Sequence, residues 1–514
     1  LITRINADNL NKNYSILTFI CVHLCSSVVY KKSSVSSVVK IYKGIFGIMS
    51  ESSEKRSIVL NLAAGETPET VAADGGSGGV ESISPYAGSP ILDIITEKQL
   101  KTCVHCGLCL SFCPTYKATG LEADSPRGRV YQIRGLASGM IPVDDPDLRQ
   151  HLNLCLGCRA CETACPSAVP YGALLEAARA QLPPATETER ALRKATLGFL
   201  FMQPWAMRTA GFGLRLYQKS GLRRLVQKSG LLKILPGKLN EKEQMLPEAQ
   251  GGLLKEKLPR VTSAKTTPRY RVAFLTGCIQ DELFRGTNAA TVSVLARNGC
   301  EVVIPEKQHC CGALHAHVGE RDESRVLARK NIDAFEATGA DYYIVNASGC
   351  GATLKDYAHL LHDDPEYSER AARFVGKMRD FSELLDEIGF IPPKGEYKAR
   401  VTYQDACHMK HGQKVFNQPR KLIKQIKGVE LVEMKDSDWC CGSAGIYNIV
   451  QPVMANEVLS WKTENVKNTR AEIVIASNPG CAIQIAYGMQ KEGKPVEVLH
   501  LAELLERAYQ VGGE

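Results

Sequence analysis

The chain contains no run of 18 uninterrupted apolar residues, so a conventional membrane-spanning helix is not expected. No Gly-x-Gly-x-x-Gly opens a helix after a strand, which removes the usual fingerprint of a flavin or nicotinamide site. Charge of one sign is also scarce. The formal net charge of the 514 residues is +8, but residues 1–48 hold six Lys/Arg against one Asp. The +3 left to the remainder is too little to argue for a nucleic-acid partner. Acidic residues are missing altogether from Ala191 to Asn240, where ten Lys/Arg occur. With 44% apolar residues the chain can still bury full cores, and its length suits two to four domains.

Cysteine is what the chain has in excess. There are nineteen, and sixteen fall into repeated, tightly spaced blocks. Cys103, Cys106, Cys109 and Cys113, followed by Pro114, form C-x2-C-x2-C-x3-C-P. Cys155, Cys158, Cys161 and Cys165, followed by Pro166, repeat it. Two copies are a two-cluster [4Fe–4S] signature, in which the fourth cysteine of each run serves the other cluster. The expected ligand sets are therefore Cys103, Cys106, Cys109 and Cys165 for one cluster, and Cys155, Cys158, Cys161 and Cys113 for the second. Structural zinc also takes four thiolates, but it usually pairs two C-x2-C knuckles and has no use for four cysteines in eleven residues. Ligand thiolates need a reducing compartment, so the cytosol or its membrane face is expected. Cys21, Cys25 and Cys300 are left over. Cys300 precedes an apolar strand and reads as a small core residue.

Residues 1–90 are read as a disordered, untranslated or targeting leader. Residues 1–48 precede Met49 and suit upstream sequence or a targeting peptide; residues 50–90 are rich in Ser, Gly, Glu and Ala and suit a flexible tail. Residues 91–180 hold both cluster motifs. The 41 residues between Cys113 and Cys155 include a helix-like segment, Gly128 to Leu136, after Pro126. This favours a helical two-cluster ferredoxin domain over a compact β-rich one. Residues 181–270 read as a basic helical connector. Its apolar and basic residues interleave, which suits an anionic membrane or a partner. They equally suit a linker packed on its own domain.

The remainder is an internal repeat, read as two cysteine-rich domains at 271–395 and 396–514. Cys278, Cys310, Cys311 and Cys350 form the first set; Cys407, Cys440, Cys441 and Cys481 form the second. Matching cysteines are offset by 129, 130, 130 and 131 residues. Each half alternates apolar runs with helical patterns. Strands are expected at Arg271–Thr276, Val302–Ile304, Tyr342–Val345, Val401–Tyr403 and Ile473–Ala476, and a helix at Thr287–Arg297. Such alternation implies a parallel α/β sheet with its sites at the carboxyl ends of strands. Adjacent cysteines pair poorly with each other, so each Cys-Cys-Gly set is a candidate cluster or metal site. Gly312 and Gly442 would allow close backbone approach to a bulky group. Zinc or a catalytic dithiol are alternatives. His309, His315, His317, His408 and His411 flank these sets and suit outer-sphere or surface roles.

Two ferredoxin motifs followed by two Cys-Cys-Gly domains resemble several electron-transfer subunits. Heterodisulfide reductase-like proteins and the iron–sulfur subunit of anaerobic glycerol-3-phosphate dehydrogenase are among them. CVHCGLCLSFCPTY at 103–116, SPRGRVYQI at 125–133 and CLGCRACETACPSAVPYGALL at 155–175 narrow the resemblance to the iron–sulfur subunit of glycolate oxidase (glycolate dehydrogenase). CCGA at 310–313, ASGCGATLKDY at 347–357 and CCGSAGIY at 440–447 agree. The resemblance spans about residues 95–510. It implies an α/β protein with an α-rich N-terminal part, two [4Fe–4S] clusters and a further cluster or metal at the Cys-Cys-Gly sites. Glycolate would be oxidised to glyoxylate on FAD-containing partner subunits, with no catalytic residue in this chain. Electrons would pass to a quinone or other membrane acceptor, and the protein would sit peripherally on the cytoplasmic face of the inner membrane. The same relay for glycerol 3-phosphate or lactate, or a heterodisulfide reductase-like thiol/disulfide enzyme, are the alternatives. Against the last, the heterodisulfide reductase pattern has a further cysteine where this chain has Ala347 and Asn478. Arg127 and Arg129 would shape or dock the cluster domain, or simply be surface charge.

Overall fold

The computed structural model describes residues 84–230, 239–252 and 258–513. The expectations for the leader, with Cys21 and Cys25, fall almost wholly outside them, as does the connector stretch 231–238.

The N-terminal part is helical for local reasons. Helix α1 (Glu97–Lys101) starts in a reciprocal cap between Thr96 and Gln99. Pro114 opens α2 (Pro114–Thr119) directly after Cys113, and Gly120, at φ 68°, ends it. Ser125 caps α3 (Pro126–Ala137) by accepting from the Gly128 N–H at 3.0 Å, with Pro126 in the first turn. Asp145 does the same for α4 (Pro146–Leu154), accepting from Leu148 at 2.7 Å. The apolar faces of these helices and of α5 (Tyr171–Gln181) enclose one core, built on Leu100, Ile133, Leu152 and Leu174. The expected helix at 128–136 is thus present and longer by a few residues. The connector is helical too: α6 (Glu187–Ala195), a π turn at Thr196–Leu200, α7 (Pro204–Lys219) and α8 (Leu222–Ser229).

Two α/β units follow. The first sheet contains β1 (Val261–Thr262), β2 (Tyr270–Leu275), β3 (Cys300–Val303), β4 (Tyr342–Val345) and β5 (Met378–Asp380) in the order β1-β3-β2-β4-β5. The second contains β6 (Ala399–Gln404), β7 (Val429–Val432), β8 (Ile473–Ala476) and β9 (Glu497–Leu499) in the order β7-β6-β8-β9. Without β1, which runs antiparallel to β3, both sheets are parallel and share one strand order. The sequence repeat is therefore a structural repeat. Cys300 begins β3 rather than preceding it, and is fully buried.

The two sheets share a core. Val272 and Phe274 of β2 belong to the same buried cluster as Val401 and Tyr403 of β6, with α9 (Arg285–Arg297) and the last helix, α12 (Leu501–Val511), packed among them. Asn298, just after α9, donates to the Tyr509 hydroxyl at 3.1 Å. The opposite face of each sheet carries its own helices and its own cysteines: Cys310 and Cys311 in one, Cys441 and Cys481 in the other. The architecture is α/β with an α-rich N-terminal part, as the sequence implies.

Candidate metal centres

The first ferredoxin loop lies at the surface. Cys106, Val104, Leu108 and Phe112 are exposed, Cys103 and Cys109 half-buried. Two arginines of α3 hold it. Arg134 donates to the carbonyls of Cys103 (3.0 Å) and Leu100 (2.9 Å), and Arg127 donates to the His105 carbonyl (3.2 Å) while pairing with Glu122. Burial pushes the Cys109 thiol up to about 11.

The second loop is interior. Cys155, Cys158 and Cys161 are buried, and Cys113 with them. Arg129, fully buried, donates to the His151 carbonyl at 2.7 Å and to the Thr115 hydroxyl at 2.9 Å, and pairs with Asp124. Thr115 in turn lies 3.2 Å from Cys113 Sγ. Arg179 of α5 donates to the Cys155 carbonyl at 2.7 Å, and the Tyr171 hydroxyl donates to Cys155 Sγ at 3.4 Å. Burial pushes the Cys155 thiol up, but the Arg129 and Arg179 cations outweigh it and hold Cys155 below its ordinary value. The nearness of Cys113 to Cys158 and Cys161 raises both of those thiols further, beyond the larger effect of burial. Cys113 also acts on Cys109, so its charge is felt by cysteines of both loops. Cys165 packs half-buried on the same core as Cys103 and Cys109.

Both loops share one backbone device. Left-handed residues stand at alternate positions: His105 (φ 54°) and Gly107 (φ 85°) in the first, Gly157 and Arg159 (both φ 62°) in the second. Such alternation turns successive N–H groups into an anion-binding concavity, the kind that cradles iron–sulfur clusters. The donor sets therefore fit two anionic, soft-ligand clusters.

The eight cysteines of the two Cys-Cys-Gly sets lie beyond carboxyl ends of parallel strands. Cys278 follows β2 and Cys407 follows β6. Cys350 sits in the first turn of α10 (Ser348–Lys355), after β4. Cys481 sits in the first turn of α11 (Pro479–Lys491), after β8. Within each set the thiols form a chain. Cys278 Sγ lies 3.7 Å from Cys310 Sγ, and contacts continue through Cys311 to Cys350. In the second set the order is Cys407, Cys440, Cys441, Cys481. Among the described residues no three His, Cys, Asp or Glu groups are placed to hold a single metal ion. An open chain of thiols suits a many-centred cluster better than one tetrahedral zinc ion, whose four ligands converge on a point. Both sets line a single cavity of about 640 Å³, with walls from Phe201, Tyr217, Leu314 and Ile446.

Gly312 and Gly442 have a packing role beside the one expected. Both are left-handed, at φ 86° and 89°. A Cβ at Gly312 would meet Ser324 Oγ at 2.7 Å, and one at Gly442 would meet the Ala455 carbonyl. They let each Cys-Cys turn press against a helix of its own half. Asn478, one of the two positions departing from the heterodisulfide reductase pattern, bridges the halves: it accepts from the Gly349 N–H (3.1 Å), and its amide lies 3.6 Å from Cys481 Sγ.

Four of the flanking histidines hold joints, and His309 makes a local bond. His315, fully buried, bonds the Leu197 carbonyl (2.9 Å); His411 bonds Thr163 (2.9 Å). His317 pairs with Glu176 and stacks on His408, ring centroids 5.0 Å apart, while His309 bonds the Lys307 carbonyl. Tyr447 reaches the Leu154 carbonyl at 2.7 Å, and Arg159 pairs with Asp356 at 2.8 Å. The second ferredoxin loop is thereby tied to both halves. Leu156, Cys158, Cys407 and Cys440 share one buried cluster.

Comparison with known proteins agrees with this geometry. The family described as a 4Fe-4S dicluster domain matches residues 99–169. The cysteine-rich domain family matches 272–355 and 401–486, and the linker region of the glycolate oxidase iron-sulfur subunit matches 188–246. The chain is an iron–sulfur electron-transfer protein, with two [4Fe–4S] clusters among its cofactors. A probable glycolate oxidase iron-sulfur subunit of Bacillus subtilis is 46% identical over 420 residues, covering 80% of this chain and 94% of that protein. The glycolate oxidase iron-sulfur subunit of Escherichia coli is 32% identical over 424 residues, with the same two coverages. Lactate utilization protein A of Oceanobacillus iheyensis is 32% identical over 244 residues, 47% of this chain and 99% of that protein. The chain belongs to the glycolate oxidase iron–sulfur subunit family.

Proposed function

We propose that the chain is the electron-relay subunit of a glycolate dehydrogenase complex, in which FAD-containing partner subunits oxidise glycolate to glyoxylate. Cys103, Cys106, Cys109 and Cys165 hold one cluster; Cys155, Cys158, Cys161 and Cys113 hold the other. The clusters supply one-electron steps between partner and acceptor. The chain itself binds, orients and shields them: the first loop offers an exposed port, and the second is sealed against the Cys407 set. The observation that carries this reading is the shared buried cluster of Cys158, Cys407 and Cys440, which joins the ferredoxin part to the repeat. Cys278, Cys310, Cys311, Cys350, Cys407, Cys440, Cys441 and Cys481 hold a further cluster or metal beside the cavity. A quinone-type acceptor suits that cavity's apolar wall, with the protein peripheral on the cytoplasmic face of the inner membrane. The working units are 91–180, 181–270, 271–395 and 396–514.

Substrate choice rests on the likeness to glycolate oxidase subunits over 94% of their length. A lactate-oxidising complex is the second reading, favoured by the likeness to lactate utilization protein A. Purified complex assayed with glycolate, lactate and glycerol 3-phosphate, with a short-chain quinone as acceptor, separates them. Glycolate turnover is expected; its absence beside lactate turnover reverses the choice.

A further inference from the structure

The connector helices turn an unusual face outward. Along α7, Trp205, Thr209, Phe212 and Leu216 fall at i, i+4, i+7 and i+11, which is one stripe of a helix, and all four are exposed. Trp205 is 58% exposed, and Phe199 packs edge-on against it with ring centroids 5.6 Å apart. Leu222 and Leu225 extend the apolar exposure onto α8. The opposite stripe of α7 is spent on packing: Met207, Gly211 and Arg215 are buried, with Arg215 paired to Glu282 at 2.9 Å.

The charge around this face has one sign. Lys194, Arg208, Arg224 and Lys228 are exposed and form no ion pair among the described residues. No Asp or Glu occurs between Ala191 and Asn240. Exposed aromatic and aliphatic side chains set among unneutralised cations match an anionic lipid interface, where rings sit at headgroup level and cations meet phosphate. A protein partner would meet the apolar stripe equally well. It would not by itself account for fifty residues free of acid.

We propose that the outer face of α7 and α8, with Phe199, is the surface by which this subunit docks on an anionic phospholipid membrane. The assignment rests on the reading of a membrane-borne acceptor and gives it a geometry. The same connector puts Phe201 and Tyr217 into the wall of the cysteine-lined cavity. Docking through α7 therefore seats the bilayer beside residues that line the acceptor's cavity.

The test is vesicle flotation of the full chain with its clusters in place, without substrate or acceptor. Vesicles containing phosphatidylglycerol are expected to carry the protein upward, with salt weakening the association; phosphatidylcholine vesicles are not. Arg208→Gln, Arg224→Gln and Lys228→Gln should each weaken partition about fivefold. Trp205 emission should shift to the blue on binding, and Trp205→Phe should abolish that shift. Unchanged iron–sulfur absorbance shows that each variant is folded. Flotation with neither vesicle, or charge variants that float like the parent, overturns the proposal. So does loss of a co-purifying subunit from Trp205→Ala or Phe212→Ala with vesicle binding intact, which makes the face a protein interface. A chain that floats but supports no glycolate turnover overturns the substrate reading alone.

Discussion

One motif occurs twice in this chain and is used in two ways. The loop from Cys103 to Cys113 leaves Val104, at 68% exposure, and Phe112 open to solvent, and its outer part is held by the half-exposed Arg127 and Arg134. The loop from Cys155 to Cys165 buries Leu156 and Cys158 and is held by Arg179 at the Cys155 carbonyl, while the buried Arg129 bonds the preceding helix at His151 and acts on Cys155 through its charge. Burial leaves Cys109 raised to about 11, whereas two guanidinium groups reverse that effect at Cys155. Identical ligand spacing therefore settles what is bound, and surroundings settle how it is used. An open loop suits exchange with a partner subunit. A closed, positively compensated one suits transfer inside the chain.

The largest effect is expected at Cys113, where the proposed ligand sets cross between the two loops. Cys113→Ser should remove the cluster held with Cys155, Cys158 and Cys161 and leave the other in place. EPR of the reduced protein checks this, and loss confined to the Cys103 cluster would end the cross-ligation argument. Next comes the buried cation. Arg129→Met strands Asp124 without its guanidinium partner and withdraws positive charge from Cys155. A loss of about 3–5 kcal/mol in unfolding free energy is expected, as for other broken buried pairs. The reduction potential of the second cluster should fall while the first stays put. Arg129→Lys should not restore stability, because Nε, Nη1 and Nη2 serve three separate acceptors. Equal shifts at both clusters would show that the two surroundings do not differ in the way described.

Much of this was legible in the sequence, and the illegible part has physical causes. Tyr342–Val345 and Ile473–Ala476 are strands with the limits their apolar runs indicate, since each is four residues buried almost throughout. The strands β5, β7 and β9 have no signal in the sequence: β5 and β9 are three residues, too few for periodicity, and β7 has no fully buried residue. The two-residue β1 is silent because it is shorter still. The cysteine blocks announced the sites, but not that both repeat sets open on one cavity, because the halves meet through pairings such as Asn478 with Gly349 that no spacing encodes. The sequence assigns Arg129 a shaping role or plain surface charge. Its position was informative: it lies four residues before Ile133, on the face of α3 that buries Pro126, Val130 and Ala137. An arginine on an apolar stripe needs a buried counter-charge, and Asp124 supplies it.

The open port makes a kinetic prediction. Val104→Asp places a charge on the exposed loop without touching a ligand. Both clusters should keep their spectra, while electron transfer from the partner subunit slows several-fold, about the 1 kcal/mol scale of a rim charge. Stopped-flow reduction of the complex measures this. An unchanged rate would move the entry point away from this loop.

The smallest effect is expected from Arg127→Gln, and it makes the sharpest contrast with Arg129→Met. The two arginines are two residues apart on one helix and belong to the same motif. Arg127 is paired with Glu122 at the surface, and its Nη1 lies over Gly107 and donates to the His105 carbonyl. Removing it leaves Glu122 to water, which rehydrates it at little cost. The left-handed turns at His105 and Gly107 are set by the loop's own backbone, and Arg134 still holds the Cys103 carbonyl. The thermal midpoint and both EPR signals should therefore match the parent within error. If Arg127→Gln instead costs as much as Arg129→Met, the first loop depends on buried charge as heavily as the second, and exposure is the wrong way to tell the two loops apart.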